Sequence, residues 1–369
     1  MPAHEPLPCP LSTLHARFRD STEPLCAGLF DEHRGSDPEV ASIAPLETAG
    51  PGALAFVTKA GDVDAVLARG VRALVASPEA AEAVAASPQA SEVGVLVSGN
   101  VSLALALVKQ VYADPQPLAE HLSGIDPDAR VAEDATLGTD VRVGPFAVIE
   151  PGAAIGAGSV IHAHAVIQRG ARIGPGCTVH PHAVVGFDCE LGAEVIVKSG
   201  TVIGSEGFGF AQDAERHSHR IPQTGRVVVG ERAVIGANCV LDRATFGETR
   251  IEAGVIMDNF CHIAHNCTIG EDAILTAGFI VAGSTRIGRR VIASGQTGVL
   301  DHLTIADDVV LLQRAGVTED IDEPGYYAGM PARPLGEYQR TVALQKRLGE
   351  MRKKITALEK RLDSGEDDG

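Results

Sequence analysis

From Ile125 to Ile203 every sixth position is aliphatic: Ile125, Val131, Leu137, Val143, Ile149, Ile155, Ile161, Ile167, Ile173, Val179, Val185, Leu191, Val197 and Ile203. Glycine often follows at once, as at Gly138, Gly144 and Gly156, and a small residue often stands four places on, as at Ser159. A helix repeats every ~3.6 residues and a half-buried strand every two, so neither produces an unbroken period of six. A parallel β-helix with three flat faces does, with six residues to a face and eighteen to a coil. The beat lapses after Ile203 and resumes at Val229, Ile235 and Leu241, so the polar, His-rich stretch Ser205–Arg226 is expected to loop out of the coil. The step from Leu241 to Ile251 is ten residues, four too many for one face, and marks a second lapse over Asp242–Arg250. Regularity returns at Ile251, Met257, Ile263, Ile269, Leu275, Val281, Ile287, Ala293, Val299 and Ile305, and Leu311 and Val317 continue the spacing. At ~4.8 Å per coil, roughly nine coils make a prism about 40 Å tall. Loops that leave such a regular solenoid are natural places to shape a binding cleft.

The flanks read differently. Residues 1–118 alternate strand and helix signals: strands at Ala53–Thr58, Val71–Ala76 and Val93–Val97, helices at Val63–Arg69, Pro78–Ala86 and Leu103–Tyr112, the last capped by Asn100. This alternation predicts a small α/β domain with a mostly parallel sheet and no glycine-rich phosphate loop. The solenoid fills 119–322. Over 323–369, Leu344, Leu348, Met351, Ile355, Leu358 and Leu362 follow a 4-3-4-3-4 spacing, a short heptad seam on a helical tail. Three heptads are marginal alone, so the seam suits identical helices meeting on a symmetry axis, or packing back on the same chain. Three prisms around an axis would each bury one face and leave clefts between neighbours.

Composition narrows the picture. Trp is absent, aromatics make up 4% and Gly numbers 41, as a narrow interior of small and branched side chains requires. A formal charge of -17 argues against nucleic acid or an anionic membrane as the main partner. No apolar run reaches the ~20 residues of a membrane span, and Met1–Pro10 has no export-signal pattern. The seven cysteines lack a CxxC, and five (Cys177, Cys189, Cys239, Cys261, Cys267) occupy the small-residue slot as buried thiols, which fits a reducing cytoplasm. The same slot makes Cys261 an inert thiol rather than a nucleophile. Most of His162, His164, His180 and His182 are expected at surface or groove positions, and no Cys/His spacing demands a metal.

The richest constellation is Met257–Asn266. Ile263 is an inward anchor, so His265, two residues on, sits near a corner and can point outward. Such a His can take a proton from an amine or hydroxyl attacking a thioester. Asp258, seven residues earlier, is a candidate orienting partner. One coil after His265 comes Gly283, whose backbone N–H could hold an oxyanion while leaving room for a pantetheine arm. Arg286, Arg289 and Arg290 cluster within one face-length and offer a basic patch on an acidic protein.

With these residues in view, the chain resembles the UDP-3-O-(3-hydroxyacyl)glucosamine N-acyltransferases of lipid A biosynthesis, in the hexapeptide-repeat superfamily, over nearly its whole length. The most specific pieces are Gly207–Ala211, Ile221–Arg226 leading into Val229-Gly230, Asp242-Arg243, Asp258-Asn259 with Ile263–Asn266, and Gly329 with Pro331. The resemblance implies a left-handed parallel β-helix and a cytoplasmic homotrimer. It implies transfer of a 3-hydroxyacyl chain from acyl carrier protein to the 2-amino group of a UDP-acylglucosamine. No cofactor is implied beyond the 4'-phosphopantetheine that arrives on the carrier, whose docking site would be Arg286, Arg289 and Arg290. His265 corresponds to the general base, Gly283 to the oxyanion N–H and His302 to a second functional His near the donor arm. Phe56 matches the aromatic that stacks on uracil, and Phe208, Gln223, Asp258 and Asn259 match substrate- or donor-binding positions. Two positions depart from the pattern: Lys59 stands where the family usually has Asn, within reach of a uracil carbonyl or phosphate, and Ala244–Arg250 lacks the usual Gly- and Asp-rich character. The residues alone also admit an acyl- or acetyltransferase for another UDP-sugar, or a solenoid that binds sugar nucleotide without catalysis.

Overall fold

The computed structural model describes residues 7–113, 122–329 and 335–364. The chain divides into two compact units, Met1–Pro117 and Leu118–Gly369.

In the first unit, strands Ser42–Ile43, Ala53–Val57, Ala73–Ala76 and Gly94–Val97 pair in parallel, and Glu32–Gly35 adds an antiparallel edge beside Gly94–Val97. Helices Leu11–Arg19, Val63–Ala68, Pro78–Ala85 and Val101–Tyr112 accompany the sheet. The three longer parallel strands are almost wholly buried, as expected of a parallel sheet covered on both sides. The cap foreseen at Asn100 is made, its side chain accepting from Leu103 N at 3.0 Å, and Ser77 accepts in the same way from Ala80 N at 3.1 Å.

The second unit is a left-handed parallel β-helix followed by the helix Leu335–Ser364. Short strands stack into sheets of ten, ten and nine strands, the three faces of the prism. Face 1 carries Arg142–Val143 and the strands above it, face 2 Val148–Ile149 and face 3 Ala154–Ile155. In the regular part each strand pairs with the one eighteen residues on, as Arg142 does with Val160. The aliphatic anchors from Val143 to Val317 point inward and are buried, and so are most residues four places on, including the five cysteines. Burial pushes the Cys177 and Cys267 thiols up to about 11, and a bond to Cys239 together with burial raises Cys261 further. These thiols are packing groups. Each corner takes one left-handed residue, so the conformation recurs every six positions, with φ near +60° at His164, His182, Asn266, Ser284 and His302.

The two lapses in the beat are insertions of the expected size. Leu191 pairs with Val229, thirty-eight residues on, and the excess holds an antiparallel hairpin of Phe210–Gln212 and Ser218–Arg220. Leu241 pairs with Ile263, twenty-two residues on, with the surplus falling just after Arg243. Both insertions leave the coil between face 2 and face 3. Among the described residues no helix is long and apolar enough to cross a membrane. Pro331 lies outside the described residues.

A column of imidazoles occupies the corner between faces 1 and 2. His162 stacks on His180 at 5.2 Å, and His164 on His182 at 4.9 Å. Burial, then Lys198 and His162, pushes His180 from 6.5 down to about 4. Its folded-state value is depressed, so the unfolded chain binds a proton there that the folded chain does not. Stability is therefore lost as pH falls from about 6.5 to about 4, by at most ~3 kcal/mol. Denaturant midpoints measured across that window should fall more steeply for the native protein than for His180→Gln. Equal slopes would remove His180 from the account.

Candidate active site

Five consecutive rungs of the prism edge between faces 2 and 3 carry, in order, the hairpin, the four-residue insertion, His265, Gly283 and His302. Strand pairing puts His262-Ile263 under Ile280-Val281 and these under Gly298-Val299, so the corner residues that follow them stack as well. Ser284 N donates to His265 O at 2.9 Å, and His302 N donates to Gly283 O at 3.1 Å. The arithmetic of eighteen thus brings His265 and Gly283 together.

Their contact is close. A Cβ built on Gly283 would lie 2.7 Å from His265 Cε1 and 2.8 Å from Nε2, so the imidazole covers a backbone that only glycine leaves open. The Gly283 N–H meets no acceptor among the described residues. Four and five coils below, the equivalent N–H groups are taken by side-chain oxygens: Phe187 N by Gln168 at 3.0 Å and Arg169 N by Glu150 at 2.8 Å. Gly283 holds the same position in its coil, two residues after the Val281 anchor. Gly283→Ala should drive the new methyl into the imidazole and lower kcat ~10²–10³-fold. Turnover within twofold of the native protein would deny the close packing any role.

The insertions wall the site. A Cβ on Gly207 would come 2.8 Å from His265 Cβ and 3.0 Å from Gln223 Oε1, so the hairpin base packs directly on the histidine. Arg243, 2% exposed, staples both roots of the hairpin: Nε donates to Gly204 O (3.0 Å), Nη1 to Gly225 O (2.7 Å) and Nη2 to Phe187 O (2.9 Å). Its guanidinium lies 3.3 Å above the Phe187 ring centroid, a stacked cation. Asp242, 4% exposed, lies beneath the site with Oδ2 3.6 Å from His262 Nε2. Burial pushes its carboxyl up, against the opposing pull of His262 and His265.

Not every sequence expectation survives. Asp258 cannot orient His265: it stands at the corner between faces 1 and 2, a full face away, and its Oδ1 accepts from Asn259 N at 2.7 Å. Asn259 shares that corner and ties down Ala237 N at 2.8 Å, so neither residue belongs to the His265 cluster of this chain. Gln223 is 4% exposed and its amide is spent inside the wall, donating to Ile221 O and accepting from Thr245 Oγ1; it shapes the site rather than facing a ligand. The arginine patch is largely neutralised, because Arg289 pairs with Asp307 and Arg290 with Asp308, both at 2.7 Å. They sit at the corner between faces 3 and 1, whereas Arg286 is exposed on face 3 itself.

Other candidates are presented to solvent. Phe208 is 81% exposed beside Phe210, ring centroids 4.9 Å apart, and His302 is 74% exposed next to Gly283. In the first unit, half-buried Phe56 and exposed Lys59 stand at the carboxyl end of the parallel strand Ala53–Val57. That end of an open α/β sheet is where ligands bind. Sequence reasoning missed Arg243 as the staple and Thr245 and Phe246 as the groups that hold the Asn266 side chain. The signal for these three was their position in a lapse of the beat.

The family described as bacterial transferase hexapeptide (six repeats) matches residues 134–169 and 152–187. The UDP-3-O-acylglucosamine N-acyltransferase of Methylococcus capsulatus is 47% identical over 333 residues, 90% of this chain and 93% of that protein. The chain belongs to the UDP-3-O-acylglucosamine N-acyltransferase family. The enzymes of the same name from Cupriavidus metallidurans and Pseudomonas syringae are 42% and 33% identical, over 88% and 89% of this chain and 90% and 91% of theirs.

Proposed function

We propose that the protein transfers an (R)-3-hydroxyacyl chain from acyl carrier protein to the 2-amino group of UDP-3-O-(3-hydroxyacyl)glucosamine in lipid A biosynthesis. The observation that carries this reading is the His265 imidazole packed over Gly283, whose N–H meets no acceptor among the described residues, in a chain 47% identical to a relative of that name. The amine nitrogen attacks the thioester carbonyl, its proton passes to His265, and the oxyanion rests on the Gly283 N–H. Collapse of the tetrahedral intermediate forms the amide and breaks the C–S bond, and the pantetheine thiol leaves with the proton. The chain itself forms no covalent intermediate. Phe56 and Lys59 hold the uridine nucleotide. Phe208 and His302 contact the donor arm. Among the described residues Arg286 is the one member of the basic patch without an ion pair, and it offers the carrier a cation.

The working assembly is a cytoplasmic homotrimer. Two exposed apolar features support it: an outward ladder on face 1 of Ile256, Ile274 and Ile292, and the helix seam Leu344, Leu348, Met351, Ile355, Leu358 and Leu362. No metal or bound cofactor enters the reaction. Incubation with UDP-3-O-acylglucosamine, a panel of acyl carrier proteins and acetyl-CoA, followed by mass spectrometry, tests the reading. The product should gain one 3-hydroxyacyl chain, from the carrier only. Acetylation from CoA would indicate a different transferase, and no product at all a sugar-nucleotide-binding scaffold.

A further inference from the structure

The hydrogen bonds of Asn266 fix the protonation pattern of its neighbour. Asn266 occupies the left-handed corner position, φ +60°, directly after His265. Its side chain is held by the four-residue insertion one rung below: Thr245 N donates to Oδ1 at 3.0 Å, and Nδ2 donates to Phe246 O at 3.0 Å. Its backbone N–H is held as well, by Thr249 Oγ1 at 2.8 Å. A backbone N–H can only donate and a backbone carbonyl can only accept, so the two ends of the amide cannot be exchanged. The end that faces the imidazole is therefore the oxygen, and His265 Nδ1 lies 3.1 Å from it. An amide oxygen has no proton to give, so Nδ1 must carry one. In the neutral ring the lone pair is then on Nε2, the nitrogen that packs over Gly283.

We infer that Asn266 is a positioning residue: clamped by Thr245 and Phe246, it locks His265 in the Nδ1–H tautomer and keeps Nε2 free to accept the proton of the attacking amine. This explains the four-residue lapse between Leu241 and Ile251, which breaks the coil at the one place where two extra backbone groups reach the Asn266 amide. Two other titratable groups face this corner: Asp242, buried beneath it, and His262, on the adjoining strand and paired with Asp242. Neither makes the Nδ1 bond. The role rests on the acyl-transfer reading, but the tautomer is a property of the resting protein.

The test is therefore spectroscopic first. Protein labelled with ¹⁵N-histidine is observed at alkaline pH, and the His265 signals are assigned by their loss in His265→Gln. The native protein should show a protonated Nδ1 and an unprotonated Nε2. Asn266→Gly keeps the left-handed corner but removes the amide; it should admit the Nε2–H form and lower kcat ~10–10²-fold, with KM for the UDP-sugar within twofold. Asn266→Asp, which keeps the acceptor, should retain Nδ1–H and recover most of the lost turnover. Asp242→Asn should leave the tautomer as it is. An Nε2–H ring in the native protein, an unchanged tautomer in Asn266→Gly, or a tautomer switched by Asp242→Asn would overturn the inference. A native Nδ1–H signal in a protein that transfers no acyl group would instead sink the functional reading and leave the tautomer lock standing.

Discussion

His265→Ala should lower kcat by ~10²–10⁴ and leave the affinity for the UDP-sugar within about twofold. The asymmetry follows from what the imidazole touches. It lies over the Gly283 backbone at the corner between faces 2 and 3, with the hairpin base against its Cβ. In the proposed reaction it meets the amine proton only as that proton is lost, so its removal costs transition-state binding and little ground-state binding. The residual rate comes from the open Gly283 N–H and the alignment of the two substrates, which the Ala variant keeps. Steady-state kinetics with carrier-bound donor, alongside calorimetric titration of the UDP-sugar, separates the two quantities. Near-native turnover would strip His265 of its role as base. An equal loss in both measurements would make it a binding residue.

The second large effect is at a residue that touches no substrate. Arg243→Met should destabilise the protein by about 3–5 kcal/mol, because three carbonyls, those of Phe187, Gly204 and Gly225, lose a buried charged donor at once. The consequence is local before it is global. Gly204 and Gly225 are the two roots of the hairpin, and the hairpin base is one wall of the active-site edge. Loosened roots should expose the 205–226 segment to protease and lower kcat as Gly207 and Gln223 leave His265. Lys in the same place carries the charge but cannot span three acceptors, and it should fall between Met and the native protein. An unchanged denaturation midpoint with an intact hairpin would show that the staple is dispensable.

The six-residue beat carried more of this site than any motif did. Counting six to a face and eighteen to a coil stacks His265 under Gly283 and sends twenty surplus residues out of the coil. The same count shows why Asp258 misleads: seven residues is more than one face, so it belongs to the preceding corner. The count also pairs Arg289 with Asp307 and Arg290 with Asp308, each eighteen apart, which is why the basic patch is mostly spent. What the beat does not encode is the path of the chain where the beat fails. The reach of Arg243 to both hairpin roots, the burial of Gln223 and the clamp on Asn266 all depend on the two insertions. The first unit shows a different gap. Glu32–Gly35 has no apolar alternation and is a strand only because it pairs with Gly94–Val97, a long-range contact that local pattern does not carry.

The most direct measurement is a crystal structure of the protein with a 3-hydroxyacyl-phosphopantetheine and UDP-acylglucosamine bound. The account predicts the thioester carbonyl oxygen within hydrogen-bonding distance of the Gly283 N–H, and the sugar amine on the Nε2 side of His265. A carbonyl lodged at the corner of Asp258 and Asn259, or an imidazole shut off from both ligands, would contradict it.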